Sequence, residues 1–185
     1  LCFAAQLHHD QERKGSGTPY LCHLLAVAAI AGDAGAGEDE FIAALLHDAV
    51  EDQGGKPTLD RIRGLFGDGV ADIVAGCTDT DVMPKPPWRK RKEDYIAHLA
   101  HATPSVRLVS CSDKLHNARA IVADVRTRGD QTWVIFKGGK EGTLWYYRAL
   151  VGAFRAHGAP AALLAELDRT VSEMERLAAG GGGIP

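Results

Sequence analysis

The sequence predicts an all-α fold, and three features of its pattern lead there. Apolar residues recur at intervals of three and four over most of the chain, which places them on one face of a helix. Clusters of proline and glycine separate these stretches, as expected for connections between helices. Two short segments, Val106–Val109 and Trp133–Phe136, have strand-like composition. The first leads directly into a helical pattern and the second is isolated between glycines, so we predict no sheet.

The N-terminal half contains several predicted helices. The apolar stretches Leu24–Ala34 and Phe41–Val50 are separated by a glycine-rich break and read as buried helices. Thr58 is a candidate N-cap for a short helix that ends at Phe66, because Thr side chains accept hydrogen bonds from free amides at helix starts. A Gly-Asp-Gly turn then leads into a helix over Val70–Cys77.

The C-terminal half has longer helical patterns. A proline-rich loop at Thr80–Pro87 precedes them, and a turn is expected at Thr127–Asp130. The predicted helices are Trp88–Leu99, Pro104–Val125, Leu144–Ala156 and Pro160–Ala179. Pro104 and Pro160 stand near helix starts and glycine follows Ala179, which is the usual asymmetry. We therefore expect one domain over residues 1–179 and a flexible Gly-rich tail over residues 180–185.

Composition excludes several functional classes. The 185 residues are 45% hydrophobic, enough for a substantial core, and carry a formal charge of −3. This mildly acidic balance argues against nucleic-acid binding. The longest apolar run is far shorter than the ~20 residues that cross a bilayer, so no membrane association is expected. No two of the four cysteines have the spacing of a zinc or redox motif, which favours a reduced, cytoplasmic chain.

The densest group of chemically active residues is the run His47-Asp48-Ala49-Val50-Glu51-Asp52. On a continuous helix His47 and Glu51 share a face, and Asp48 and Asp52 form a parallel pair. The apolar residues before the run would bury its start, where a carboxylate is expected to be paired or to bind a metal. The alternative is that His47 and Asp48 only cap a helix end, and an isolated His-Asp pair does not decide between the two.

Two other segments favour a metal site over a helix cap as the role of His47 and Asp48. His23 lies early in a predicted helix and supplies a second imidazole, and Asp113 interrupts an otherwise apolar helical stretch. Imidazole and carboxylate ligands with water in the open positions suit Mn²⁺, Fe²⁺ or Zn²⁺. Glu51 and Asp52, one turn beyond the His-Asp pair, are placed to orient or deprotonate a water.

The order and spacing of these motifs resemble those of the HD-domain metal-dependent phosphohydrolases. Within that family, the resemblance is to the hydrolase domain of the RelA/SpoT alarmone enzymes and to the single-domain small alarmone hydrolases. The resemblance runs from about Leu1 to Leu177, and we expect the hydrolase-only branch. Its markers are Arg13-Lys14, Pro19-Tyr20 with His23, the run 43–52, Phe66-Gly67 with Val70-Ala71, Thr78-Asp79, and Asp113-Lys114-Leu115-His116-Asn117. It implies an HD-domain helical bundle that holds one Mn²⁺.

The resemblance also implies roles for individual residues. The family's metal ligands correspond to His23, His47, Asp48 and Asp113, and its water-activating acids to Glu51 and Asp52. Its substrate-binding positions correspond to Arg13, Lys14, Ser16, Asn117, Arg119 and Tyr147. Arginine suits bidentate contacts to phosphate and lysine acts as a point charge. Gly15 is inserted relative to the family's usual Arg-Lys-Ser-Gly pattern, which leaves the role of Ser16 open.

The predicted function is Mn²⁺-dependent removal of the 3′-pyrophosphate from guanosine tetraphosphate or pentaphosphate, a small-molecule nucleotide substrate. One alternative is a phosphohydrolase of the same family with broader nucleotide or NADPH specificity. Another is a non-catalytic nucleotide-sensing module, which is disfavoured because every ligand and acidic position is intact.

Two further groups have competing interpretations. The basic run Arg89–Lys92 is either a phosphate-steering patch or a solvated helix face, and short charge runs are usually the latter. His8 is expected to support the site rather than bind the metal, and His116 to contact a ligand. We expect the remaining histidines to be solvated: His9, His98, His101 and His157.

Overall fold

The computed structural model describes residues 1–80 and 84–180, and over those residues it is helical. The β-structure found within them is an isolated bridge between Glu12 and Pro19, so the all-α prediction is confirmed. The helices are α1 Cys2–Leu7, α2 Tyr20–Asp33, α3 Glu38–Leu46, α4 Ala49–Asp52, α5 Lys56–Cys77, α6 Trp88–His98, α7 Pro104–Arg128, α8 Gly139–His157 and α9 Ala161–Ala179, with a 3-10 helix over Gly129–Ile135.

Helix α7 is the central element of the fold. It packs against α2, α3 and α5 on its N-terminal half and against α8 and α9 further along. Its start is fixed by Thr103, whose hydroxyl accepts a hydrogen bond from the Val106 amide at 3.2 Å, and by Pro104 in the first turn. Val106 and Val109 belong to one buried apolar cluster and Leu115 to another, so α7 joins the two halves of the core.

The helix predicted over Phe41–Val50 is interrupted, and the interruption lies within the His-Asp pair. Helix α3 ends at Leu46, His47 and Asp48 form a turn, and α4 begins at Ala49. The backbone of Asp48 has φ −96° and ψ −1°, away from ideal helix geometry. Consecutive helical side chains diverge by about 100°, whereas this turn directs His47 and Asp48 towards one point.

Other boundaries differ more modestly from the expectations. Gly55 rather than Thr58 caps α5, and the Thr58 hydroxyl instead donates to the Gln53 carbonyl at 2.5 Å. The predicted break is present as a kink at Gly67, whose φ of 89° suits glycine. The turn predicted at Thr127–Asp130 is wrong, because α7 continues to Arg128 and the 3-10 helix follows directly.

Some expectations fall partly outside the described residues. Residues 81–83 of the predicted loop and 181–185 of the predicted tail are among these, so the domain limits stay a prediction. In the described parts of the chain no helix combines the length and apolar character needed to cross a membrane.

Candidate metal centre and its surroundings

The four predicted metal ligands meet in the interior, where α2, the α3–α4 turn and α7 approach one another. His23, His47 and Asp113 are buried, and one ligand atom from each lies within 4.8 Å of the others. His47 Nε2 is 3.0 Å from Asp48 Oδ2 and 3.6 Å from Asp113 Oδ1. His23 Nε2 is 3.2 Å from Asp113 Oδ1 and 3.6 Å from Asp48 Oδ2. The sequence therefore identified a set of side chains that converge in three dimensions.

Each imidazole is oriented through the ring nitrogen that faces away from this centre. His47 Nδ1 donates to the Ala44 carbonyl at 2.8 Å, and His23 Nδ1 is 2.8 Å from His116 Nδ1. Burial lowers the pKa of His116 to about 4, so its imidazole is neutral and its Nδ1 can accept a hydrogen bond from His23 Nδ1. Both Nε2 atoms then face the centre, where, against the effect of burial, the Asp48 and Asp113 carboxylates raise the pKa of His47 well above its usual value in the absence of a cation.

This arrangement fits a divalent cation. The Nε2 atoms of His23 and His47 are buried and make no hydrogen bond of normal geometry, although each lies 3.0–3.6 Å from oxygens of Asp48 and Asp113. A bound cation would satisfy these nitrogens and oxygens together. Two imidazoles with two carboxylates are donors that Mn²⁺, Fe²⁺ and Zn²⁺ accept. Asp48 precedes α4 but its side chain makes no capping hydrogen bond. The alternative that the His-Asp pair only caps a helix is therefore not supported.

The charges around the centre keep its carboxylates ionised. Burial would raise the pKa of Asp113, but the Lys114 ammonium, 2.5 Å from its Oδ2, holds that pKa well below its usual range. Burial would likewise raise the pKa of Asp48, and the nearby His47 lowers it. Burial and the Asp48 charge raise the pKa of Tyr20, so its phenol stays protonated and donates to Asp48 Oδ2 at 2.6 Å.

The two predicted water-activating acids follow the His47–Asp48 turn on α4, and each has a specific partner. Glu51 Oε1 accepts from Lys85 Nζ at 2.9 Å, and Asp52 Oδ2 accepts from Gln11 Nε2 at 2.8 Å. Burial and the Asp48 charge raise the pKa of Asp52, while the Gln11 hydrogen bond lowers it. A carboxylate with a raised pKa is a better proton acceptor than an ordinary surface aspartate.

Two of the predicted substrate-binding residues, Arg13 and Asn117, are connected to the predicted metal ligand Asp113. Asn117 Oδ1 accepts from Arg13 at 2.9 Å, and its Nδ2 donates to Asp113 Oδ1 at 2.5 Å. Tyr147 is buried, and burial raises its pKa. Lys14 is exposed, next to Arg13 in sequence.

The other two substrate-binding candidates make different contacts. Ser16 is exposed, and its hydroxyl accepts from the Thr18 amide at 3.3 Å. Arg119 is exposed on α7 and contacts Glu166 of α9 at 3.2 Å. These contacts neither assign nor exclude a role in binding, so both roles stay predictions.

The basic run divides into two parts. Arg89 and Lys90 form ion pairs one turn along α6 with Glu93 and Asp94, as a solvated helix face does. Arg91 and Lys92 turn inward and contact the Asp79 carboxylate at 2.6 and 2.7 Å. These pairs attach α6 to the segment that follows α5, a structural use for half of the run.

The structure adds residues that the sequence patterns did not assign to the site. Tyr20 and Lys114 lie inside the recognised motifs but were not given roles there. Gln11 and Lys85 lie outside the assigned positions, and an uncharged amide such as Gln11 carries no signal of proximity to Asp52. His8 is buried, as expected of a supporting residue, whereas His9, His98, His101 and His157 are exposed.

Comparisons with known sequences agree with this architecture. Residues 1–143 match the HD domain family. The Danio rerio protein named guanosine-3′,5′-bis(diphosphate) 3′-pyrophosphohydrolase MESH1 is 39% identical over 120 residues, 63% of this chain and 64% of that protein. The Drosophila melanogaster protein of the same name is 33% identical over 142 residues, 72% of this chain and 76% of that protein. The chain thus spans less than two thirds of the length of the vertebrate relative.

Solved structures extend the comparison over more of the chain. A structure described as a metazoan ortholog of SpoT that hydrolyzes ppGpp superposes with a TM-score of 0.75 and 27% identity, covering 93% of this chain and 91% of that one. The structure of lmo0812 from Listeria monocytogenes EGD-e superposes with a TM-score of 0.71 and 29% identity, covering 85% of this chain and 99% of that one. With the family match spanning most of the sequence and the fold shared almost end to end, the chain belongs to the HD domain family.

Proposed function

We propose that this chain is a metal-dependent hydrolase that removes the 3′-pyrophosphate from guanosine tetraphosphate (ppGpp) or pentaphosphate, with Mn²⁺ as its ion. The observation that carries the proposal is the convergence of the buried His23, His47 and Asp113 with the partly buried Asp48, which brings two imidazole Nε2 atoms within 3.0–3.6 Å of carboxylate oxygens. Support for the substrate comes from the Danio rerio relative, which is named for this reaction, and from the SpoT ortholog, described as hydrolyzing ppGpp.

The four ligands would hold one divalent ion. When bound there, such an ion would lower the pKa of a water and offset the charge of the diphosphate. The protein's own contribution is to fix the ligand geometry before binding. His116 and Ala44 orient the imidazoles. Tyr20 donates to the Asp48 oxygen that faces them, and Lys114 holds the Asp113 oxygen that faces away.

Asp52 is assigned the proton transfer. Its carboxylate accepts a proton from the attacking water as the water oxygen bonds to the phosphorus attached to O3′. The bond from that phosphorus to O3′ breaks, O3′ gains a proton to become a hydroxyl, and pyrophosphate leaves with the added oxygen. Glu51 shares in orienting the water, and Lys85 Nζ, 2.9 Å from its Oε1, holds the carboxylate in place.

We assign substrate binding to four residues: Arg13, Lys14, Asn117 and Tyr147. Arg13 is held by Asn117 close to the Asp113 side of the centre, where a guanidinium can make two parallel hydrogen bonds to phosphate. Lys14 adds positive charge next to it, and Tyr147 forms part of the buried wall. This local charge attracts a polyanion although the chain as a whole carries −3. We also place the protein in the cytoplasm, because its four cysteines are free.

The test is release of pyrophosphate and phosphate from a panel of ppGpp, pppGpp, GTP and NADPH, with Mn²⁺, with other divalent ions and with a chelator. We expect Mn²⁺-dependent pyrophosphate release from the first two, abolished by His47→Ala or Asp113→Ala in variants that retain the helical spectrum. Faster turnover of NADPH or GTP would establish the broader phosphohydrolase instead. Binding of ppGpp without turnover would establish a sensing module, and turnover in the chelator would refute the metal mechanism.

A further inference from the structure

The segment between α1 and α2 places an uncharged side chain against one of the two acids. Gln11 Nε2 donates to Asp52 Oδ2 at 2.8 Å, across forty-one residues of sequence. The backbone of Gln11 is itself fixed, because its carbonyl accepts from the Tyr20 amide at 2.8 Å next to the bridge between Glu12 and Pro19. The amide therefore approaches Asp52 from a defined direction.

The orientation of this amide is determined by its other partners. Gln11 Oε1 lies 2.7 Å from His8 Nδ1 and 2.6 Å from Gln53 Nε2. An amide oxygen only accepts and an amide nitrogen only donates, and a carboxylate only accepts. Gln11 Nε2 must then face Asp52, and His8 must carry its proton on Nδ1. If the amide were flipped, its oxygen would face the Asp52 carboxylate, acceptor against acceptor. Its nitrogen would face Gln53 Nε2 and the protonated His8 Nδ1, donor against donor.

His8 is held in turn by the same residue that holds a metal ligand. Its side chain is 2% exposed and stacks on Tyr20, with ring centroids 5.4 Å apart and planes at 19°. The Tyr20 hydroxyl donates to Asp48 Oδ2. A continuous chain of contacts thus runs from Asp48 through Tyr20, His8 and Gln11 to Asp52, and it fixes the acid relative to the metal ligand.

We propose that Gln11 is a positioning residue for Asp52, aimed by His8 and Gln53, and that it sets the direction in which this carboxylate meets the attacking water. The proposal rests on the function proposed above, in which Asp52 accepts the proton. One Asp52 oxygen is occupied by Gln11, so the other is the one available to the water. Gln11 acts through Asp52 and is assigned no contact with substrate, which predicts an effect on kcat rather than on KM.

The test is a double-mutant cycle on the full-length, Mn²⁺-loaded protein with ppGpp as substrate. Gln11→Leu should lower kcat by about 10- to 100-fold and leave KM within about twofold. In an Asp52→Asn background the same change should lower kcat by less than about twofold, because the group that Gln11 positions is already gone. Gln6→Leu, an exposed glutamine on α1, is the matched control and should leave both constants unchanged.

A second variant separates the hydrogen bond from packing. His8→Phe keeps an aromatic ring to stack on Tyr20 and removes an Nε2 that is buried without a partner. It should therefore melt no lower than wild type, yet lower kcat several-fold because the Gln11 amide loses one of the donors that aim it.

The outcomes distinguish the two proposals. Wild-type protein that does not hydrolyse ppGpp would overturn the proposed function and the role of Gln11 with it. Active wild-type protein in which Gln11→Leu lowers kcat equally with and without Asp52 would overturn the positioning role alone. A rise in KM with unchanged kcat would also overturn it, since that result assigns Gln11 to substrate binding.

Discussion

Asn117 Nδ2 donates a hydrogen bond to Asp113 Oδ1 at 2.5 Å, one turn earlier on α7, and this contact joins a proposed substrate-binding residue to a proposed metal ligand. The other end of the same amide accepts from Arg13. Arg13 and Asp113 are therefore connected through a single side chain. In the proposed function this connection makes Asn117 a part of both the substrate-binding and the metal-binding regions.

Replacing Asn117 by Ala should weaken both sides of the site. Asp113 loses the donor that orients Oδ1, and loss of such an outer contact typically lowers metal affinity by about 10- to 100-fold. Arg13 also loses its partner, so KM for ppGpp should rise. Isothermal titration with Mn²⁺ and steady-state kinetics measure the two effects, and Gln131→Ala, at an exposed amide, is the control. An unchanged Mn²⁺ affinity would contradict the assignment.

His116→Phe should lower metal affinity without altering a ligand. The neutral His116 imidazole accepts a hydrogen bond from His23 Nδ1. Without this acceptor, the His23 ring can rotate or carry its proton on Nε2, which then cannot bind a metal. We expect about a 10- to 100-fold weaker Mn²⁺ affinity. His101→Phe, at an exposed histidine, should leave the affinity unchanged. Equal affinities in the two variants would mean that His116 has no role in orienting His23.

Removal of the metal should destabilise the fold measurably. Without an ion the Nε2 atoms of His23 and His47 have only the Asp48 and Asp113 carboxylates beside them, whereas bound ion at 100 times its dissociation constant stabilises the folded state by about 2.7 kcal/mol. For a domain of this size that corresponds to a melting temperature about 5–10 °C higher. Thermal melts with Mn²⁺ and with chelator should show the difference in wild type. Asp113→Ala should show little or none, and a chelator-insensitive wild type would argue against a metal centre.

A pair of glycine substitutions tests the packing that holds the centre together. A Cβ on Gly76 would lie 2.5 Å from Val106 Cγ2, so Gly76→Ala should force α5 and α7 apart and cost about 1–3 kcal/mol. A Cβ on Gly152 of α8 would meet nothing within 4 Å, so Gly152→Ala should stabilise by up to about 1 kcal/mol through the higher helix propensity of alanine. Urea unfolding of both variants measures the contrast, and equal effects would show that α5 and α7 are not closely packed at this point.

The helices were predictable from sequence because their apolar period is a local property. Helix α9 illustrates this, since Leu163, Leu167, Val171 and Met174 recur at the helical interval and are all buried. The break between Leu46 and Ala49 was not predictable in the same way. It occurs inside a run of good helical pattern, and its cause is tertiary: the side chains of His47 and Asp48 face a common centre with His23 and Asp113.

Only part of the site was predictable from sequence, and whether a residue could be predicted depended on its chemistry. Ionisable residues in apolar surroundings, such as Asp113, attract notice because burying them requires a partner. Gln11 and Tyr20 carry no net charge, and their roles depend on contacts with residues far along the chain. His116 was predicted in part. Its position near Asp113 indicated that it would contact a metal ligand, but not that this ligand would be His23.

Hydrolysis of ppGpp in ¹⁸O-labelled water tests the central claim most directly, because it reports which bond this site breaks. We expect Mn²⁺-dependent formation of GDP and pyrophosphate, with one ¹⁸O in the pyrophosphate and none in GDP, a strongly reduced but measurable rate for Asp52→Asn, and no reaction in the presence of chelator. Release of orthophosphate, or ¹⁸O in the 3′-hydroxyl of GDP, would contradict attack on the phosphorus attached to O3′.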